Sequence, residues 1–240
     1  MNVITRYMSL EKCLDFFSKR RLYLARFDSF EDQYEGYSLE QLAKKLGIKF
    51  DKSSSDNRKK LTPEKRKKVL FGSCWYQGQE DLAMWDRFRH ERGLAISVNK
   101  ESLAKSFLLA DNKYEFDFIY TKQSESNKPT VNYKYADEIY YISERTRKKR
   151  DGVKLGLIKH AAFQHEQEFR FIVRQRASDN TILADGIFWK LPDFNHIDFT
   201  IRTNPYMKGE FLEMLSSYIN TLKLNNVSVQ QSQFRKLFTP

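Results

Sequence analysis

The sequence predicts a mixed α+β fold with a largely antiparallel central sheet and flanking helices. Short apolar runs are interspersed with runs of helical periodicity, without the regular alternation that builds a parallel sheet. The 240 residues are 40% hydrophobic, which is enough for a packed core. Only 9 Gly and 5 Pro are present, so a loop-rich or fibrous protein is excluded.

The predicted strands are short apolar or alternating runs bounded by polar or turn-forming residues. They lie at 3–8, 22–27, 69–75, 94–98, 114–120, 166–174, 187–189, 197–201 and 227–229.

The predicted helices follow capping residues or helical spacing of apolar side chains. Ser9 precedes the first helix, and Ser38 with Gln41 forms a capping box for a helix to about Leu46. Further helices are predicted from Thr62, at 81–92, at 102–110, ending near Phe163, and at 204–222. No long polar linker interrupts the chain, so we expect one domain, 1–240, with a helical, basic insertion at about 38–68.

Positive charge is the main compositional signal for a partner. The formal net charge is +11 and the pI about 9.5, which favours encounter with polyanions. The charge is concentrated in two clusters, Arg58, Lys59, Lys60, Lys65, Arg66, Lys67 and Lys68, and Arg147, Lys148, Lys149 and Arg150. Such clusters either contact nucleic-acid phosphates or form a solvated surface, and we expect single-stranded RNA or DNA as a partner.

Several classes of protein are not indicated by the sequence. Cys13 and Cys74 are the only cysteines and predict buried thiols in a reducing compartment. The four histidines are scattered, without H-E-x-x-H, so no metal site is predicted. The start of the chain lacks a signal-peptide pattern and no apolar run reaches membrane-spanning length. We therefore expect a cytoplasmic protein with no membrane partner.

Two glutamates one residue apart, Glu166 and Glu168, open an apolar alternating run. If this run is a strand, its period of two places both carboxylates on one face. Paired carboxylates can serve a reaction that develops positive charge. They can equally belong to a solvated edge strand, and Arg170, on the same face, could neutralise them in a purely structural arrangement.

An ordered set of short motifs resembles a large bacterial and phage family usually labelled as a domain of unknown function. The family's motifs are R-Y-x-S, L-Y-F-S-x-P-x-x-F-N-D-P-F-E-G, S-C-F-S, M-W, G-x-x-I and E-x-E-x-R. The matching segments are 6–9, 22–36, 73–75, 84–85, 93–96 and 166–170, in that order. The chain departs from this pattern at Phe27, Glu31 and Gln33.

The order of an early Arg, a Ser on a later strand and E-x-E is also similar to that of the mono-ADP-ribosyltransferases. This distant resemblance implies a split-sandwich sheet and NAD as cofactor. It implies that Glu168 stabilises the developing charge at the ribose and that Glu166 orients or deprotonates the acceptor. The candidate NAD-contacting residues are Arg6, Tyr7, Tyr23, Arg26, Phe30, Ser73 and Trp85.

The acceptor implied by the charge is nucleic acid, RNA more than DNA, with protein as the other choice. A toxin or antiphage defence effector with an antitoxin or regulatory protein as partner fits this activity. Two other functions remain open. One is a nucleic-acid-binding module without catalysis. The other is a nuclease that holds Mg²⁺ with Glu35, Glu166 and Glu168.

Overall fold

The computed structural model describes residues 2–48, 62–88, 93–110, 131–143, 146, 153–175 and 185–237, together with the backbone of 114–116; of 131 and 132, too, only the backbone is described. The strands are β1 (Val3–Ser9), β2 (Arg21–Arg26), β3 (Leu70–Gln77), β4 (Gly93–Asn99), β5 (Tyr114–Phe116), β6 (Val131–Glu138), β7 (Tyr140–Ile142), β8 (Ile158–His160), β9 (Glu168–Gln175), β10 (Gly186–Lys190), β11 (Phe199–Thr203) and β12 (Val227–Gln231). The α-helices are α1 (Leu10–Lys19), α2 (Leu39–Lys45), α3 (Pro63–Lys67), α4 (Leu82–Arg87), α5 (Lys100–Leu109) and α6 (Gly209–Thr221). Short 3-10 helices lie at Phe27–Ser29, Ala161–Glu166, Phe194–His196 and Arg235–Leu237.

The fold is mixed α/β with a large, mostly antiparallel open sheet and flanking helices, as the sequence predicts. The chain forms two compact units, each assembled from separate stretches. Unit 1 comprises Met1–Leu22, Cys74–Lys113 and Trp189–Pro240, and unit 2 comprises Tyr23–Ser73 and Tyr114–Phe188. The expectation of a single domain stays a prediction.

Unit 1 is built around strands in the order β12-β11-β4-β1-β3. The β12–β11 pair is parallel, whereas β11–β4, β4–β1 and β1–β3 are antiparallel. Helix α1 packs Phe16 and Phe17 edge-on against Phe199, with ring centroids 5.5 Å apart in both pairs. Cys13 is buried in the same helix, and Cys74 on β3 is half-buried; neither forms a disulfide.

Unit 2 pairs β6 with β9 in antiparallel register, and β9 in turn pairs with β3. β3 and β2 are antiparallel, and β7 and β8 form a separate parallel pair. One apolar cluster of unit 2 consists of the buried side chains of Phe27, Leu70, Tyr135, Ile139, Leu157 and Ile172.

Within the described part of the predicted basic insertion, helix α2 packs into the apolar core of unit 2. The Ser38 hydroxyl accepts a hydrogen bond from the Gln41 N–H at 3.3 Å, and Gln41 Oε1 accepts one from the Ser38 N–H at 3.1 Å. The predicted capping box is therefore confirmed. Leu39 and Leu42 of α2 are buried in a second cluster that also contains Ile142 and Ile158.

Three sequence predictions about helices and strands were wrong in detail. The helix predicted to end near Phe163 is instead β8 followed by a 3-10 helix, because Ile158 pairs with Tyr140 of β7. Glu166 belongs to that 3-10 helix and lies outside β9. The last helix begins at Gly209 rather than Asn204, since the Asn204 side chain accepts the Tyr206 N–H in a turn.

Within the described ranges, no helix combines the length and the apolar character needed to cross a lipid bilayer.

Candidate functional site

Five charged side chains of unit 2 form a continuous chain of ion pairs, which we call the buried ion network. Its members are Glu35, Arg170, Glu168, Lys159 and Glu166, in the order of contact. All five are at most 6% exposed. A buried charge costs free energy unless it is paired and hydrogen-bonded, so the sequence must supply each partner in the right place.

Arg170 joins Glu35 to Glu168 in the network. Its Nη1 and Nη2 donate to the two Glu35 oxygens at 2.8 and 2.6 Å, a forked geometry that suits a guanidinium. Its Nε donates to Glu168 Oε2 at 2.5 Å, and Nη1 also donates to the carbonyl oxygen of Gly156 at 2.9 Å. The Phe30 ring centroid lies 5.7 Å from the guanidinium carbon. Every nitrogen of Arg170 therefore has an acceptor.

Lys159 links the two glutamates of the E-x-E motif. Its Nζ donates to Glu166 Oε2 at 2.6 Å and to Glu168 Oε1 at 2.8 Å. The Phe163 ring centroid lies 4.6 Å from the same nitrogen, a favourable cation–π contact. One ammonium group thus holds both carboxylates at hydrogen-bonding distance.

A turn, rather than the period of a strand, brings Glu166 and Glu168 together. Glu166 is the last residue of its 3-10 helix, and Gln167 adopts a left-handed conformation with φ 39°. β9 then begins at Glu168, and the period of two places Glu168 and Arg170 on the same face of β9. The two carboxylates are close together as expected, but a 3-10 helix and a left-handed residue place them there instead of a continuous strand.

The two carboxyl groups differ in their affinity for a proton. Burial, followed by a hydrogen bond to Glu168, raises the pKa of Glu166 to about 7. Burial alone would raise the pKa of Glu168, but the charge of Arg170, the hydrogen bond from Glu166 and the charge of Lys159 hold it well below its usual range. At neutral pH, Glu168 is ionised while Glu166 lies near its midpoint.

Charge balance explains this difference. Three carboxylates and two cations would leave one net negative charge in a buried site. A proton on Glu166 removes that charge, which is consistent with the raised pKa of this buried carboxyl group. Burial alone would lower the pKa of Lys159, but Glu168 raises it, so the ammonium stays charged and is a poor nucleophile.

We expect the stability of the protein to fall as the pH rises from 4.5 to about 7. Glu166 binds its proton more tightly in the folded than in the unfolded state, so its stabilising contribution is complete below 4.5 and is lost as the pH rises through about 7. Urea denaturation at several pH values measures this loss. Glu166→Gln should flatten the profile in this window, whereas Glu138→Gln, which alters an exposed carboxylate of the same unit, should not. An unchanged profile in Glu166→Gln would contradict the assignment.

The residues predicted to contact NAD lie in both units. Phe30 and Ser73 belong to unit 2: Phe30 borders the buried ion network, and Ser73 is buried on β3, which pairs with β9. Tyr23 packs against Phe188 with ring centroids 5.1 Å apart. Arg26 donates to Asp28 at 2.6 Å, a contact outside the network.

Arg6, Tyr7 and Trp85 belong to unit 1. The Tyr7 and Trp85 rings are buried edge-to-face at 4.9 Å, and Trp85 Nε1 donates to Glu80 at 3.0 Å. Both rings are packed against protein, which does not favour stacking on a ligand. Arg6 is half-buried on β1, opposite Ile96 of β4. That Arg6 and Glu168 share one pocket stays a prediction.

The predicted nucleic-acid residues are described only in part. Arg58, Lys59, Lys60, Arg147, Lys148, Lys149 and Arg150 lie outside the described residues. Lys65 and Lys68 are exposed, and Lys67 donates to the carbonyl oxygen of Gln33 at 3.0 Å. Arg66 is buried and bonded to Gln41 and to the Gly36 carbonyl, so its position does not favour a phosphate contact.

Lys159 and Glu35 are the functional candidates whose roles sequence reasoning missed. Lys159 follows the apolar pair Leu157–Ile158, and a lysine within a buried run is an unusual feature that could have drawn attention to it. The sequence predicts Glu35 only as a Mg²⁺ ligand of the nuclease alternative. In the structure both of its oxygens are bonded to Arg170, and the described residues contain no group of three or more metal-ligating side chains.

Comparison with known proteins supports one of the two resemblances in part. Residues 84–171 match the model of a family described as a protein of unknown function, DUF2971. That range covers less than half of the chain and includes Lys159, Glu166, Glu168 and Arg170. No curated protein matches the chain. No solved structure matches it. A DUF2971 domain of unknown function is thus found at residues 84–171 of this protein.

Proposed function

We propose that the protein is an NAD-dependent mono-ADP-ribosyltransferase whose reaction centre is the Glu166–Glu168 pair. The observation that carries the proposal is the contrast between two neighbouring carboxyl groups, one firmly ionised and one with a pKa of about 7. Two carboxyl groups held in different protonation states can take different roles in one reaction, as in glycoside cleavage.

Glu168 would stabilise the transition state of nicotinamide release. The bond between the ribose anomeric carbon and nicotinamide breaks, nicotinamide leaves as a neutral molecule with the bonding electrons, and positive charge develops on the ribose. An ionised carboxylate that accepts a hydrogen bond from a ribose hydroxyl interacts more strongly with this state than with NAD itself. The low pKa of Glu168 keeps that charge available at any physiological pH.

Glu166 would act on the acceptor. Its carboxylate form takes the proton of the acceptor hydroxyl or amino group while that group attacks the anomeric carbon. A base works best when its pKa lies near the operating pH, and a value of about 7 meets this condition. The positive charge of the chain favours nucleic acid as acceptor, RNA more than DNA and single strands more than duplex, because unpaired bases can leave the stack.

Substrate binding must rearrange the buried ion network. Glu168 is buried, and its two oxygens accept hydrogen bonds from Arg170 and Lys159, so a ribose hydroxyl reaches it only if side chains of the network move. The 3-10 helix that carries Glu166 also exposes Ala162, Gln164 and His165 to solvent. Displacement of this 3-10 helix would open a route for a ligand to both carboxylates.

A purely structural network is the competing explanation, because every cation in it has a carboxylate partner. In that case the protein would bind nucleic acid without catalysis. A Mg²⁺-dependent nuclease is less well supported, since Arg170 engages both Glu35 oxygens.

Incubation with NAD labelled in its adenylate moiety, in the presence of separate protein, RNA and DNA pools, tests the proposal. We expect label in the RNA pool, with nicotinamide release that EDTA does not prevent. A folded protein that neither consumes NAD nor labels any pool would overturn the transferase, and EDTA-sensitive cleavage of the nucleic acid would favour the nuclease.

A further inference from the structure

An exposed tyrosine on β6 lies beside an arginine at one end of unit 2. Tyr133 is 60% exposed, although aromatic side chains are usually at least half covered. Arg174 is its register partner on β9, and the guanidinium carbon lies 5.8 Å from the ring centroid. The ring therefore offers one apolar surface to solvent with a positive charge next to it.

A further exposed cation, Lys68, lies near the end of β9. The Gln175 N–H donates to the carbonyl oxygen of Val69 at 2.9 Å, which brings the end of β9 next to the exposed Lys68. Arg66, in the same turn as Lys68, is close enough to Arg174 for the two like charges to repel. Arg66 itself is buried, so Arg174 and Lys68 are the cations of this turn and strand end that a polyanion could reach.

A second lysine, Lys154, contacts the ring of Tyr135 on the same strand as Tyr133. Lys154 Nζ is 5.1 Å from the ring centroid of Tyr135, which is two residues from Tyr133 and hence on the same face of β6. Tyr135 itself is buried, so Tyr133 is the ring available for stacking. We call Tyr133, Arg174, Lys68 and Lys154 the Tyr133 surface.

We propose that the Tyr133 surface binds single-stranded nucleic acid, with an unpaired base stacked on Tyr133 and phosphates next to Arg174 and Lys68. An exposed aromatic face flanked by cations fits a single strand, because its bases are free to stack while its backbone remains charged. A duplex hides its base faces, and an acidic protein segment does not require the aromatic ring. This inference does not depend on the proposed transferase activity.

Fluorescence anisotropy with two labelled probes tests the stacking contact. One probe is a single-stranded oligonucleotide, and the other is an abasic strand of the same length with the same phosphates. Tyr133→Ala should weaken binding of the first probe roughly tenfold and leave binding of the abasic strand unchanged. Tyr133→Phe should bind like the wild type, since it retains the ring. Tyr206→Ala is the matched control, because Tyr206 is 57% exposed but belongs to unit 1.

Arg174→Gln tests the charged contact. The salt dependence of binding to the single strand should fall in slope by about 0.7, as expected for one lost phosphate contact. Lys208→Gln removes an exposed charge of unit 1 and should leave the slope unchanged.

If Tyr133→Ala weakened binding of both probes equally, the stacking contact would be overturned. Tighter binding of polyglutamate or duplex than of the single strand would overturn the choice of partner.

Discussion

Replacement of Arg170 with methionine is expected to lower the free energy of unfolding by about 3–5 kcal/mol. Methionine retains much of the aliphatic stem of arginine but cannot donate a hydrogen bond. The carboxylates of Glu35 and Glu168 therefore stay buried without the donor that they share. The carbonyl oxygen of Gly156 loses its Arg170 donor as well. Chemical denaturation monitored by tryptophan fluorescence and circular dichroism measures the change.

Two comparisons separate this effect from the loss of any arginine. Arg21→Met breaks a partly exposed pair with Asp15 and should cost no more than about 1 kcal/mol. Addition of Glu35→Leu to Arg170→Met should restore part of the lost stability, because one unpaired charge is removed with its partner. A loss below about 1 kcal/mol in Arg170→Met would show that the buried ion network contributes little to unit 2.

Local features of this fold could be predicted because short-range chemistry determines them. The capping box of Ser38 and Gln41 depends on four consecutive residues and is present as expected. The apolar alternation of β9 fixes which residues share a face, and Arg170 does pair with Glu168 as its spacing allows.

Features that depend on distant parts of the chain could not be predicted in the same way. Glu35 and Arg170 are 135 residues apart, and no local pattern indicates that their side chains meet. The left-handed conformation of Gln167 was equally hidden, since glutamine rarely adopts it and a continuous strand fits the apolar run better. The sequence pattern therefore predicts the end of a longer helix and the start of a strand where the structure has the 3-10 helix Ala161–Glu166.

The burial of individual basic residues could not be predicted from the sequence either. Seven cations between Arg58 and Lys68 predict a uniformly solvated or phosphate-binding surface. In the described part of this segment, Arg66 turns inward to Gln41, while Lys65 and Lys68 face solvent. The acceptors that α2 and the preceding turn offer to Arg66, Gln41 and the Gly36 carbonyl, decide which cation is buried, and a count of charges does not contain that information.

Replacement of Glu168 with glutamine should lower NAD turnover at least about a hundredfold, which corresponds to about 2.7 kcal/mol of lost transition-state stabilisation. Glutamine has nearly the same shape and can still accept a hydrogen bond, but it carries no negative charge to oppose the charge that develops on the ribose. If the lost contact forms only in the transition state, kcat and kcat/KM should fall together. Initial rates of nicotinamide release over a range of NAD concentrations provide both constants.

The interpretation requires that the variant still folds, because Glu168→Gln leaves Lys159 and Arg170 with one carboxylate each. Denaturation curves therefore accompany the rates, and Glu138→Gln, which alters an exposed carboxylate of the same unit, serves as the control with unchanged turnover.

Glu166→Gln completes the comparison: it should still release nicotinamide to water but transfer little label to RNA, since only the acceptor loses its base. Full turnover in a folded Glu168→Gln protein would remove Glu168 from the chemistry. Equal loss of hydrolysis and transfer in Glu166→Gln would contradict the division of roles, because two carboxylates that act on different substrates must affect different steps.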